Sequence, residues 1–312
     1  MSPPNVGGQA VIEGVMMKAP RRLCVAVRRP SGAVVVKNDP FEPLSARLPF
    51  LAWPFLRGPV VLGETLVHGL KALSFSANQA LEEEDTEMGS WALTLTMALA
   101  VAFGLALFVA VPHLLSLWLG RLKALAFDEM SLMFHLTDGV IKVALFMGYL
   151  WLISRMKDIQ RVFEYHGAEH KTIFCFEAGE ELTVANARRY SRLHPRCGTA
   201  FLLVVLVVSM LVFAMVFPLL PKFSPSAVLN QLAQIGLKVL LMLPIAGISY
   251  EVIRLAGKKG GQGLWGALLW PGLQMQRLTT REPDDDQIEI ALAALKAAVC
   301  TAEGDAPSLS CL

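Results

Sequence analysis

The run Tyr165-His166-Gly167-Ala168-Glu169-His170-Lys171 sets two imidazoles four residues apart with a carboxylate between them. On a helix such positions share one face, so both rings reach a single divalent ion. Glu169, beside the second ring, is placed as general base for water activated by that ion. This is the His-x-x-Glu-His order of inverted zinc peptidases. Further along, Arg192-Leu193-His194-Pro195-Arg196-Cys197-Gly198-Thr199 puts a histidine and a cysteine three apart in a turn shaped by proline and glycine. His166, His170, His194 and Cys197 are therefore the candidate metal ligands, with zinc the expected ion. Glu177 and Glu181 between them are candidate oxygen donors. Each residue alone has a plainer reading: histidines on a helix surface, an interfacial His194, a small buried Cys197. Their clustering favours the metal.

The rest of the chain must position this group beside a membrane. Of 312 residues, 54% are hydrophobic and only 17% charged, with a mean hydropathy of +0.50. An ordinary soluble domain carries about 25% charged residues. Disorder is excluded by the apolar content, and five scattered cysteines make no disulfide framework. With 28 basic against 26 acidic residues, nucleic acid is not an expected partner. Residues 91–120 and 199–221 are apolar runs long enough to cross a bilayer, which takes about 20 residues. Residues 132–153, with Asp138 and Lys142, and 233–250, with Lys238, are weaker spans whose charges are expected near the ends, in reach of water.

Four transmembrane helices follow: 1 and 2 within 91–153, 3 and 4 within 199–250. Lysine and arginine concentrate in 1–90, in 154–198 and after 251, and are sparse in the two intervening loops. Positive charge stays inside, so both termini and the middle loop are expected in the cytoplasm of a bacterial inner-membrane protein. Cys24, Cys175, Cys197 and Cys300 are then expected as reduced thiols.

The predicted fold is a mainly α membrane protein with a small cytoplasmic β-containing region. That region is built from the N-terminal segment (1–60) and the His-rich loop (154–198). Residues 23–27 and 33–37 read as strands flanking an Arg-Pro-Ser-Gly turn. Within 61–90, residues 62–80 read as an amphipathic helix at the interface, followed by an acidic run. In the tail (251–312), residues 264–275 are apolar, tryptophan-containing and too short to span, whereas 282–286 start a helix with an apolar face at Ile288, Ala291, Leu292 and Leu295.

Gly7-Gly8-Gln9-Ala10-Val11-Ile12-Glu13-Gly14-Val15-Met16-Met17, the Tyr165 to Lys171 run, Glu180-Glu181-Leu182-Thr183-Val184 and His194-Pro195-Arg196-Cys197-Gly198-Thr199 resemble the YqhQ-like family of bacterial membrane proteins. The likeness extends to residues 74–78 and to the tail around 274–282. It implies a membrane protein described as a predicted metal-dependent enzyme of unassigned reaction. It also ties the N-terminal glycine-rich stretch to the histidine loop, so Glu13 and Gln9 are expected to line the same pocket; a plain β-turn with an exposed glutamate is the alternative.

Two functional classes stand. One is a metal-dependent, hydrolytic enzyme at the cytoplasmic face acting on a lipid-linked, membrane-bound or peptide substrate. The other is a membrane scaffold or assembly factor with a structural metal or hydrogen-bonded His/Cys cluster. A site that keeps a coordination position open favours the first. Arg188, Arg189, Arg192 and Arg196 are best read as a cytoplasmic anchor.

Overall fold

The computed structural model describes residues 6–80, 90–122, 127–258 and 263–299. The acidic run at 82–85, Cys300 and the last dozen residues lie outside them. The chain opens on an antiparallel sheet in sequential order: β1 (Gly7–Val11), β2 (Gly14–Lys18), β3 (Arg22–Arg28) and β4 (Val34–Pro40). Short α1 (Leu44–Arg47) and long α2 (Arg57–Ala80) follow. Side chains alternate across a strand, and here both faces of the sheet are covered. Val15, Met17, Cys24 and Ala26 face one apolar cluster, while Met16, Leu23, Val25 and Val27 face another completed by Ala72 of α2. Burial on both sides explains why 23–27 reads as an unbroken apolar run rather than an alternating one.

Helices α3 (Ser90–Leu105) and α4 (Val111–Gly120) are joined by a single π-helical turn at Ala106–Ala110 and together form the first apolar helix. Next come α5 (Leu132–Ile153), α6 (Lys157–Glu177), α7 (Val184–Arg188), α8 (Gly198–Val216), α9 (Ala227–Lys258), α10 (Leu264–Thr279) and α11 (Asp285–Val299). Among the described residues, four helices are long and apolar enough to cross a membrane: Ala98–Gly120, Leu132–Ile153, Gly198–Leu219 and Ala227–Gly257. They are the four spans expected, the last one longer at both ends. Helix α10 covers about 24 Å at 1.5 Å per residue, short of a span, and packs on α8.

Among the described residues the strands all come from the N-terminal segment; the middle loop contributes α6 and α7. Helices α6 and α11 pack against the sheet face opposite α2. The start of α11 is fixed by a reciprocal cap. Asp284 accepts from the Gln287 amide at 2.8 Å, and the Gln287 side chain accepts from the Asp284 amide at 3.0 Å. The predicted apolar face of Ile288, Ala291, Leu292 and Leu295 is buried there. Along α2 the small residues Gly58, Gly69, Ala72 and Ser76 are buried, leaving Leu66, Val67 and Leu73 exposed.

One expectation is corrected. Asp138, Lys142 and Lys238 do not sit at span ends in reach of water: they are 1%, 6% and 3% exposed. Lys142 stands ten residues into α5, about 15 Å along it. The 142–138 spacing is one helical turn, so the two side chains meet on the inner face (2.7 Å) instead of reaching outward.

Candidate metal centre

Helix α6 is continuous through Gly167; on it Glu169 and His170 are buried and His166 is half-buried. A Cβ at Gly167 would collide with the Arg281 carbonyl oxygen, so glycine lets the 279–283 segment press directly on the helix. That approach matters for the chemistry. The Thr279 carbonyl accepts from His166 Nδ1 at 2.8 Å, and the Arg192 carbonyl accepts from His170 Nδ1 at 2.5 Å. A carbonyl can only accept, so both rings carry Nδ1–H and present Nε2 to the opposite side. Fixing the outward nitrogen by a backbone carbonyl is the usual support of a metal-ligating histidine.

Cys197, the residue before α8, faces those nitrogens, with Sγ 3.2 Å from His166 Nε2. One ligand atom each from His166, His170 and Cys197 lies within 4.8 Å of the others, so the three converge on one point. Burial would push the Cys197 thiol up, but facing His166 and His170 hold it well below the ordinary value. Burial likewise opposes a charge on His166, and the sulfur in front of it more than compensates, raising it to about 9. Each group thus favours the charged form of the other, and an anionic sulfur is what a divalent ion requires.

Glu169 is buried beside the group. Burial pushes its carboxyl up, against the pull of His166 and His170. Gly8 of β1 lies directly on this carboxyl: a Cβ there would come within 2.8 Å of the Glu169 carboxyl carbon and Oε1. The glycine-rich stretch therefore does join the histidine loop, through Gly8. Gln9, the next residue, points to the other face of the sheet, with its amide against Gly69 of α2. Glu13 sits at the β1–β2 turn with φ +51° and binds Arg161 through both carboxylate oxygens (2.5 Å each) and Tyr165 (3.3 Å). It anchors α6 to the sheet, and that fork holds a non-glycine residue in left-handed backbone.

His194 lies outside the three-ligand group. Its Nδ1 accepts from the Arg196 amide at 3.2 Å, so its proton is on Nε2, 3.7 Å from Glu177. Burial lowers it to about 4. Its backbone is pinned at both ends by Gln276, each bond 2.8 Å. Glu177 pairs with Arg196, and the Glu181 side chain is exposed. The other loop arginines also bind protein groups: Arg188 to Asp285, Arg189 to Glu180, Arg192 to Thr280. Residues unread in the sequence complete the support. Buried Lys171 donates to the carbonyls of Arg188 (3.0 Å) and Tyr190 (2.8 Å) and pairs with Glu282 (2.5 Å). The likeness over 274–282 was the one sign that this tail belongs here.

The cysteines divide accordingly. Cys24, Cys175 and Cys197 are all free and buried. Burial pushes the Cys24 thiol up to about 11, from 9.0, and Cys175 rises too. Only the thiolate attacks an alkylating reagent. Iodoacetamide at neutral pH is therefore expected to modify Cys24 about 100-fold more slowly in the folded than in the denatured protein, since each pKa unit is tenfold in thiolate. Peptide mapping by mass spectrometry reads this; equal rates would contradict the buried placement.

Residues 53–301 match a family described as "Protein of unknown function (DUF1385)". The chain is 33% identical over 308 residues to "Uncharacterized protein YqhQ" of Bacillus subtilis (strain 168), covering 93% of this chain and 91% of that one. No solved structure matches. With a family model covering most of its length and a full-length relative, the chain belongs to the DUF1385 family, the YqhQ-like proteins.

Proposed function

We propose that the protein is a metal-dependent hydrolytic enzyme of the bacterial inner membrane, with both termini and its site on the cytoplasmic side. The observation that carries this reading is the convergence of His166, His170 and Cys197, each histidine oriented by a backbone carbonyl, with buried Glu169 alongside. Two nitrogens and a thiolate suit zinc, and three protein ligands leave a position open, as catalytic sites do. An ion held there supplies Lewis acidity and lowers the pKa of water. Glu169, its carboxyl raised by burial, takes and returns the proton. Gly8 keeps the sheet from crowding that carboxyl. The lysine and arginine distribution supports the orientation. A site beside the membrane suits a lipid-linked, membrane-bound or peptide substrate.

Metal analysis of the full-length protein in detergent tests this. Wild type, Glu169→Gln and His194→Ala are expected to carry stoichiometric zinc. His166→Ala, His170→Ala and Cys197→Ser should lose affinity by more than the roughly 10–100-fold that an outer partner costs. Wild type without stoichiometric metal, or histidine variants that keep it, would end the reading. Loss in His194→Ala equal to that in His170→Ala would point to a closed four-ligand centre and hence to the scaffold reading.

A further inference from the structure

A second polar cluster lies inside the helical bundle, away from the His/Cys group. Three helices each turn a polar stripe of successive turns toward one axis. Helix α4 contributes His113 and Ser116, and α5 contributes His135, Asp138 and Lys142. Helix α9 contributes Gln231, Gln234 and Lys238. The opposing face of α8 brings Phe213, with Phe217 just beyond it, whose rings stand 5.4–5.8 Å from the two ammonium groups. Five of these polar residues, His113, Ser116, His135, Asp138 and Gln234, are at most 2% exposed.

The bonds form a continuous path. Lys142 donates to Asp138 Oδ2 at 2.7 Å, and Lys238 donates to the same oxygen at 3.1 Å. Lys238 also donates to His113 Nδ1 at 3.2 Å. The His113 Nε2 proton then faces the Gln231 carbonyl oxygen, and the Gln231 amide donates to Glu129. Glu129 is half-buried and borders an open cleft of about 280 Å³, rimmed by Arg121, Asp128 and Lys222. The cleft lies at the N-terminal end of α5, whereas the His/Cys group lies past its C-terminal end, about 33 Å away along 22 residues. The two sites therefore belong to opposite faces of the membrane.

Two features show that this is more than a buried ion pair. One carboxylate faces two ammonium groups, a surplus charge that a low-dielectric interior disfavours and that the release of one proton balances. Asp138 Oδ1, both His135 nitrogens, both polar atoms of Gln234 and Ser116 Oγ are buried without a hydrogen-bond partner. Buried polar atoms need partners, and such a concentration of them suits water and a mobile proton. Ionisable groups inside a membrane bundle that are buried and paired in this way mark ion and proton pathways.

We propose that this cluster is a proton-binding site that exchanges with the membrane face opposite the His166/His170/Cys197 group. Lys238 passes a proton to His113 Nδ1 and becomes a neutral amine. His113 releases its Nε2 proton, by way of water at the Gln231 amide, to the Glu129 carboxylate and remains a neutral imidazole of the other tautomer. Glu129 returns that proton to water in the cleft. The groups facing the exchanging proton are Asp138, Lys142 and His135 on α5, His113 on α4 and Lys238 on α9; among the described residues α8 brings only apolar and aromatic side chains and Ser209 to this bundle. The reading is independent of any metal at the other site.

Proton counting on the full-length protein in lipid nanodiscs tests it, with a pH indicator in weakly buffered solution. Over about pH 5 to 10, from the range of buried lysines to that of the free amine, wild type is expected to exchange one more proton per chain than Lys238→Met, in which Asp138 and Lys142 balance one another. Glu129→Gln is expected to exchange the cluster's proton at least about tenfold more slowly. Equal counts in wild type and a correctly assembled Lys238→Met overturn the proposal. Should that variant fail to assemble, Glu129→Gln decides: exchange as fast as wild type overturns the proposal, and slowed exchange supports it.

Discussion

Asp138→Ala is expected to be the most damaging single substitution in the bundle, costing about 3–5 kcal/mol. That is the range for removing one partner of a buried ion pair. The cost arises from what remains: Lys142 and Lys238 both bond the same Asp138 oxygen, so without it two ammonium groups face each other among Phe213 and Phe217. A thermal unfolding midpoint lowered by on the order of 10 °C is the expected reading in detergent. The triple variant Asp138→Ala/Lys142→Met/Lys238→Met should recover much of the loss, because an apolar replacement of a whole buried pair is often neutral. A triple variant as unstable as the single one would show that the loss is of packing and not of charge balance.

Gly167→Ala is the second. In an exposed helix this change stabilises by about 1 kcal/mol; here the sign inverts. The new Cβ meets the Arg281 carbonyl oxygen, and Pro283 Cδ is 3.2 Å away. The opposing segment cannot yield easily, since the Arg281 amide is bonded to the Phe163 carbonyl at 2.8 Å. Destabilisation of about 1–3 kcal/mol follows from overpacking, with weakened metal binding as the Thr279 carbonyl moves off His166. Gly63 in α2 is the control: a Cβ there meets nothing within 4 Å, so Gly63→Ala is expected to stabilise. Chemical denaturation of the two variants side by side distinguishes them; stabilisation by both would mean that the α6 contact is not tight.

Much of this was readable in the residues. Apolar runs and flanking charges located four spans, because length against bilayer thickness is a one-dimensional property. His166 and His170 converge as their four-residue spacing requires, and Cys197 joins them from the start of α8. Where the geometry parts from the expectation, the causes are local. His194 shares a turn with Cys197, but its Nδ1 is taken by the Arg196 amide, a bond decided by backbone geometry that no spacing rule reports. Gln9 was grouped with its neighbours, yet strand alternation sends it to the opposite face from Gly8. The carbonyls of Thr279 and Arg192 carry the orientation of both rings, and a main-chain oxygen leaves no signature in residue type. Lys238 looked able to reach water because it is a lone charge in its own segment, and its bond to Asp138 exists only across helices; the Asp138–Lys142 pair, one helical turn apart in α5, was open to reading from spacing.

The dependence of His166 on Thr279 bears on how the protein is made. Gly8, α6 with Cys197, and Thr279 with Gln276 leave the ribosome in that order. At about 5–20 residues per second, tens of seconds separate the first from the last. For the last part of that interval, the roughly 80 residues between Cys197 and Thr279 and on the order of 10 seconds at that rate, the nascent chain displays His166 and the thiol without the carbonyl that sets the direction of the ring. The direction of the His166 ring is therefore set only after synthesis has passed Thr279 and α10 has closed against α8, and a chain that stalls earlier lacks the carbonyl that orients it.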